Sequence, residues 1–192
     1  MFDLPPVTRN IVIACTVVYF LQSTSGFPID RYFALWPVGP LFQPWQLVSY
    51  AFLHAGFTHL LFNMFGLWMF GAELERFWGP VRYSNFLIAS TLGASCLQLL
   101  VVSGTQMLHP TVGASGAVFG LLLAFAMLFP HRTIVPLFPP IPMPAWLFVT
   151  LYGGLELWQG VTGTSAGVAH FAHLGGMLGG YVMLRYWRGK RR

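Results

Sequence analysis

Charge is what this 192-residue sequence has least of: ten Lys and Arg with five Asp and Glu amount to 8% of the chain. A soluble globule carries roughly a quarter of its residues as charges, so a water-soluble fold is excluded. Cysteine is scarce as well. Cys15 and Cys96 both fall inside apolar stretches, which excludes a disulfide framework or a thiolate metal site and leaves them as packing residues. A cleavable leader is also missing from the reading, because the segment after Arg9 runs into a full spanning stretch without a small-residue cleavage site. The first helix is therefore expected to remain in the mature protein.

What is present instead is apolar: 56% hydrophobic and 17% aromatic residues, in long stretches separated by short polar breaks. Such a chain belongs in lipid. Its net charge of +5 does not point to nucleic acid, because Arg185, Arg188, Lys190, Arg191 and Arg192 cluster after an apolar helix. That placement suits anionic lipid headgroups.

Because about 20 apolar residues cross a bilayer core, spanning helices are expected at 8–25, 57–77, 81–103, 115–129, 145–159 and 168–187. The predicted fold is all-α, one compact bundle of six transmembrane helices over residues 1–192. Breakers mark the connections: Gly26 and Pro28, Gly79-Pro80, His109-Pro110, the run Pro136 to Pro144, and Gly160 to Gly167. Nine basic residues fall on one side, namely Arg9, Arg76, Arg82, Arg132 and the five C-terminal ones, leaving only Arg31 on the other. Positive loops stay inside, so both termini are expected in the cytoplasm. The first outer loop, 26–56, holds Phe27, Tyr32, Phe33, Trp36, Phe42, Trp45, Tyr50 and Phe52. Aromatics favour the headgroup level, which predicts an interfacial loop.

Polar side chains inside apolar helices need a partner or a task. His59, Asn63, Ser115, His170 and His173 are the ones to explain, and the topology puts all five toward the outer leaflet. Counting residues along ideal helices places Ser115 and His173 each about 8 Å below the outer edge, His59 near about 5 Å and Asn63 near about 10 Å. His170 comes out near about 3 Å. Polar groups from three helices thus converge on one layer.

Acyl transfer is the chemistry they suit. A serine hydroxyl becomes a competent nucleophile when an imidazole takes its proton, and Gly113-Ala114-Ser115-Gly116 places Ser115 where a loop enters a helix. The backbone N–H there lacks an intrahelical partner and lies at the positive end of the helix dipole, so it is preset for an oxyanion. His59 and Asn63, one turn apart, add side-chain donors. Gly116/Gly120 on the fourth helix and Gly175/Gly179 with Gly176/Gly180 on the sixth are small-xxx-small pairs that let backbones approach.

At these residues the chain resembles the rhomboid family, from Trp45 to Gly180. His54-Ala55-Gly56-Phe57-Thr58-His59-Leu60-Leu61-Phe62-Asn63 is similar to the family's second-helix motif, Gly113-Ala114-Ser115-Gly116 to its nucleophile motif, and His173-Leu174-Gly175-Gly176 with Gly180 to its sixth-helix motif. The resemblance implies an intramembrane serine endopeptidase with a Ser115–His173 dyad and no aspartate. It implies an oxyanion and substrate site at His59, Asn63, Gly113 and Ala114, with no cofactor or metal. It also implies single-span membrane proteins as substrates, reaching the site laterally near the second and fifth helices. With no seventh helix in view, the chain resembles the simple bacterial form, expected in the cytoplasmic (inner) membrane with its active site toward the outer face.

The sequence departs from the family at two places. Trp45-Gln46 stands where Trp-Arg is common, which puts the arginine's loop-bracing role in question. Phe119 stands one turn after Ser115 where many members have tyrosine; it keeps a ring for His173 to stack on and loses the hydroxyl. Glu75 matches a family structural glutamate. His54 is read as bracing the first loop by hydrogen bonds, and His109 and His131 as ordinary loop histidines. Glu156 is read as a structural hydrogen bond near the outer mouth, and His170 as a hydrogen-bonding group at the entrance. Two other readings stay open: a haem or metal protein using His59, His170 and His173, and a rhomboid-like chaperone that binds membrane helices without cutting them.

Overall fold

A computed structural model describes residues 4–102, 109–136, 139–163 and 169–190. The expected start of the last helix at 168, the end of the third at 103, and Arg191 and Arg192 lie outside the described residues.

Helix α1 (Pro6–Thr24) opens the chain, and α2 (Ile29–Phe33) and α3 (Gln46–Ser49) are short turns within the first loop. A second rod is built in three pieces: α4 (Phe57–Gly66), a π-helical turn over Leu67–Gly71, and α5 (Ala72–Trp78). Then follow α6 (Pro80–Val102), α7 (Ser115–Leu128), α8 (Ala145–Thr162) and α9 (His170–Gly189). Between α7 and α8, β1 (Thr133–Ile134) pairs antiparallel with β2 (Met143–Pro144), with Thr133 opposite Pro144. This pairing brackets the connection marked by the prolines from Pro136 to Pro144.

Among the described residues, α6 alone combines 23 residues with a mean hydropathy of 1.7 and so qualifies to cross a membrane by length and composition. Helix α7 is apolar but has 14 residues, about 21 Å of rise. The other rods dilute their hydropathy with Thr, Gln, Gly and His, and Thr16, Thr150 and Thr162 each satisfy their hydroxyl on a carbonyl one turn back in the same helix.

Helix α9 is the hub, and its glycines explain why. An added Cβ at Gly176 would lie 1.9 Å from the Gly116 carbonyl oxygen on α7, and one at Gly175 would lie 2.4 Å from the Gly93 carbonyl oxygen on α6. Gly179 similarly faces the Ala89 carbonyl. The backbones touch directly. The glycine spacing predicts both Gly176 and Gly180 against the Gly116/Gly120 face of α7; Gly176 lies there, whereas Gly180 packs on Phe86 and Ser90 of α6. The two glycine pairs of α9 are offset around the helix, so α9 is wedged into both neighbours at once.

At the opposite end of the rods from Ser115, Glu75 closes the start of α1. Its carboxylate accepts from the Val7 N–H (2.9 Å), the Thr8 N–H (2.7 Å) and the Thr8 hydroxyl (2.8 Å). These amides are free because α1 begins there after Pro5, with no capping side chain of its own, and the negative charge meets the positive helix end. Glu75 is 2% exposed. Replacing it with Ala strands buried donors and is expected to cost about 1–3 kcal/mol, with Glu75→Gln losing less. Thermal unfolding in detergent checks this, and an unchanged midpoint for Glu75→Ala would contradict it.

In the first outer loop, Gln46 is fully buried and takes over the bracing that its substitution for arginine had put in question. Its amide nitrogen donates to the carbonyls of Tyr32 (3.2 Å) and Leu41 (3.0 Å), while its oxygen accepts from the Trp36 N–H (3.3 Å). Phe27, Val38 and Trp45 remain exposed, a surface suited to the headgroup layer. Leu35 and Thr111 exchange backbone hydrogen bonds of 3.0 and 2.9 Å, fastening this loop to the segment that leads into α7.

Candidate active site

The approach to α7 is shaped residue by residue. Gly113 has φ +119°, a conformation that side-chain-bearing residues avoid. It also has no room, since a Cβ there would lie 2.6 Å from His59 Cε1 and 3.7 Å from Asn63 Nδ2. Its N–H donates to the Tyr50 carbonyl at 2.9 Å, and the buried Tyr50 hydroxyl donates to the Thr91 carbonyl at 3.0 Å. Loop, first outer segment and α6 are thereby tied together. Ala114 precedes the helix in right-handed backbone and is 4% exposed. Ser115 is the first residue of α7, where the first-turn N–H groups have no helical acceptor.

His173 lies on the first turn of α9, brought close by the Gly176–Gly116 contact one turn below. Its Nε2 is 2.8 Å from Ser115 Oγ. Phe119 lies flat on the imidazole, with centroids 4.3 Å apart and planes 7° from parallel. The ring that replaces the family's tyrosine is therefore sufficient for stacking, and it holds the imidazole plane without a hydroxyl.

His59 and Asn63 both border Gly113, two residues before Ser115, as their one-turn spacing on α4 allows. Asn63 Nδ2 donates one hydrogen to the His59 carbonyl at 3.0 Å. An amide nitrogen carries two, and among the described residues the second has no acceptor and is available to a ligand. His54 stacks edgewise on His59 at 5.2 Å. The expected bracing by its side chain is not seen, since neither ring nitrogen has a hydrogen-bond partner among the described residues; only its backbone N–H donates, to Gln22 Oε1 of α1 at 3.0 Å. Burial, followed by repulsion from His59, pushes its pKa down to about 4, so this ring stays neutral at ordinary pH.

Two expectations become more specific here. Glu156 is hydrogen-bonded, as expected, and the structure supplies the partner: its Oε2 lies 2.8 Å from His173 Nδ1, on the side of the ring away from Ser115. His170 hydrogen-bonds as expected, and it does so as a buried group. It is 5% exposed, and its Nδ1 contacts the same Oε2 at 2.7 Å. The signal was available in part, since a carboxylate within an apolar helix requires a hydrogen-bonding partner. What sequence alone did not supply was the rotation of α8 that turns Glu156 toward α9.

The haem or metal reading uses His59, His170 and His173, and two of these three fall in the same cluster. Ligand atoms of Glu156, His170 and His173 lie within 4.8 Å of one another, but His59 stands apart from them against Gly113. His173 has both nitrogens engaged, one by Ser115 and one by Glu156.

A serine at a helix start, an imidazole on its oxygen and a carboxylate behind the imidazole form the arrangement that acyl-transfer enzymes use, here within a mostly helical chain. Comparison with known proteins agrees on the family. The Rhomboid domain matches residues 41–189. The chain therefore belongs to the rhomboid family, whose members are integral membrane proteins and many of which are serine proteases. It is similar to the mitochondrial rhomboid protein 1 of Saccharomyces cerevisiae, 32% identical over 146 residues, covering 71% of this chain and 40% of that protein. The rhomboid YdcA of Bacillus subtilis is 31% identical over 172 residues, covering 88% of this chain and 76% of the relative. The rhomboid protease GlpG of Yersinia pestis is 29% identical over 119 residues, covering 61% and 41%. The chain thus spans less than half the length of some of the curated relatives it matches.

Proposed function

We propose that this protein is an intramembrane serine endopeptidase. The observation that carries the reading is the 2.8 Å contact between Ser115 Oγ and His173 Nε2 at the start of α7. In the proposed cycle His173 Nε2 takes the hydroxyl proton as Ser115 Oγ adds to a scissile carbonyl, then delivers it to the departing amine. Water enters next; His173 takes one of its protons as the water oxygen adds to the acyl carbon, and returns that proton to Ser115 Oγ as the acyl–oxygen bond breaks and the carboxylic acid leaves. The developing oxyanion is held by the Ser115 N–H with His59 and Asn63, each donor expected to contribute up to roughly 10²–10³ in kcat.

The substrates are single-span membrane proteins whose helices approach laterally. Phe57, Leu61 and Phe62 on α4 and Leu155, Trp158 and Val161 on α8 are exposed, and this apolar surface suits an incoming membrane helix. In this reading α1, the α4–α5 rod, α6, α7, α8 and α9 each cross the membrane as one domain. Both termini are cytoplasmic, the site faces the outer side, and the membrane is the bacterial inner one. A helix-binding chaperone would have no use for a serine hydroxyl aligned on an imidazole, which favours the enzyme.

Purified protein in liposomes, incubated with a panel of single-span proteins, is expected to cut at least one of them within or beside its membrane segment, as mapped by mass spectrometry. Binding without any cut across the panel would favour the chaperone.

A further inference from the structure

The geometry points to Glu156 as a positioning residue for His173, so that the site works as a Ser115–His173–Glu156 relay of contacts in which His170 holds the carboxylate in place. This inference rests on the protease reading above and adds a third member to it.

A neutral imidazole carries one ring proton, and only the form protonated on Nδ1 presents an Nε2 lone pair to Ser115. With nothing facing Nδ1, both tautomers would be populated and the ring would rely on Phe119 alone for its orientation. Glu156 supplies what is missing: its Oε2 accepts from His173 Nδ1 at 2.8 Å while Nε2 meets Ser115 Oγ at 2.8 Å. The same carboxylate oxygen accepts from His170 Nδ1 at 2.7 Å, so a second donor fixes the carboxylate. All three side chains are buried, with Glu156 at 7%, His170 at 5% and His173 at 8% exposure. In such surroundings a negative charge next to the ring acts on the imidazolium that forms when Ser115 loses its proton, with little screening by water.

A tie between helices would use the same hydrogen bonds, but it would not need the carboxylate on the particular nitrogen opposite the serine contact. Glu156 belongs to α8 and both histidines to α9; the other buried residues of α8, Ala145, Phe148 and Val149, all lie in its first half, and Glu156 is the buried residue of its second half. The orienting group is thus carried on a different helix from the base it orients. Any displacement of α8 from α9 would break the His173 Nδ1 contact, which couples the position of α8 to the readiness of the base.

The test uses the full chain in liposomes with Glu156→Gln and Glu156→Leu, and Ser115→Ala as the zero. For Glu156→Leu, kcat and the rate of fluorophosphonate labelling are expected to fall together by roughly 10²–10⁴-fold, with KM within twofold of the parent. Glu156→Gln, which keeps the shape and one acceptor, falls in between. Nitrogen NMR of labelled histidine, with His173 assigned by its loss in His173→Ala, should show protonation on Nδ1 in the parent and a tautomer mixture in Glu156→Leu. A parent His173 protonated on Nε2 would overturn the inference even if neither variant folds. So would a folded Glu156→Leu that keeps kcat within threefold, or one whose loss appears in KM alone. If the parent neither cleaves nor labels, the protease reading fails by itself, and the tautomer measurement still decides the role of Glu156.

Discussion

Ser115→Ala is expected to abolish cleavage, a fall of more than roughly 10⁴-fold in kcat, while the protein keeps its fold. Among the described residues the hydroxyl makes one side-chain hydrogen bond, to His173 Nε2. Alanine fits the first turn of α7 as well as serine does, and one lost hydrogen bond is worth about 1 kcal/mol. The backbone N–H groups at the helix start stay where they are, so residual substrate binding should persist. Cleavage assays and thermal unfolding on the same preparation check both halves. Full activity in the variant would end the serine protease reading, whereas a collapsed melting temperature would reassign Ser115 to structure.

The second large effect separates the two histidines on the first turn of α9. His173→Ala removes the hydrogen-bond partner of Ser115 Oγ, and with it the stacking on Phe119. Cleavage is expected to fall by a comparable factor of roughly 10⁴, and fluorophosphonate labelling should slow strongly. His170→Ala leaves the Ser115–His173 and His173–Glu156 contacts intact and removes only the second donor to the carboxylate. It should keep a measurable fraction of both activities. Rate measurements on the two variants side by side decide the assignment, and a dead His170→Ala beside an active His173→Ala would mean that the base is wrong.

Much of the site could be read from sequence because the relevant physics is local. Ser115 at a helix start follows from Gly113-Ala114 and the apolar run behind it, and α7 does begin at Ser115. The meeting of α7 and α9 follows from glycines, since only a missing Cβ allows the approach seen between Gly116 and Gly176. His59 and Asn63 share a helix face because they are one turn apart, and both reach Gly113.

What sequence did not yield depends on relations between segments. Glu156 precedes His170 and His173 by 14 and 17 residues, across a connection whose path fixes how α8 is rotated, and no periodicity encodes that rotation. Gln46 as a loop brace depends on three backbone groups from a segment 5 to 14 residues away. The π turn at Leu67–Gly71 interrupts a stretch whose apolar pattern reads as one uniform helix. Gly180 faces α6 instead of α7 because α9 is wedged between two partners, whereas the glycine spacing alone identifies a face and not its neighbour.

The central claim is that the Ser115 oxygen is an activated nucleophile, and one measurement reaches it without knowledge of the substrate. The full chain in liposomes is treated with a fluorophosphonate, digested and mapped by mass spectrometry, with Ser115→Ala and His173→Ala in parallel. The account predicts a single phosphonylated site at Ser115, absent from Ser115→Ala and strongly slowed in His173→Ala. No adduct on Ser115, or an adduct formed at an equal rate without His173, would contradict it.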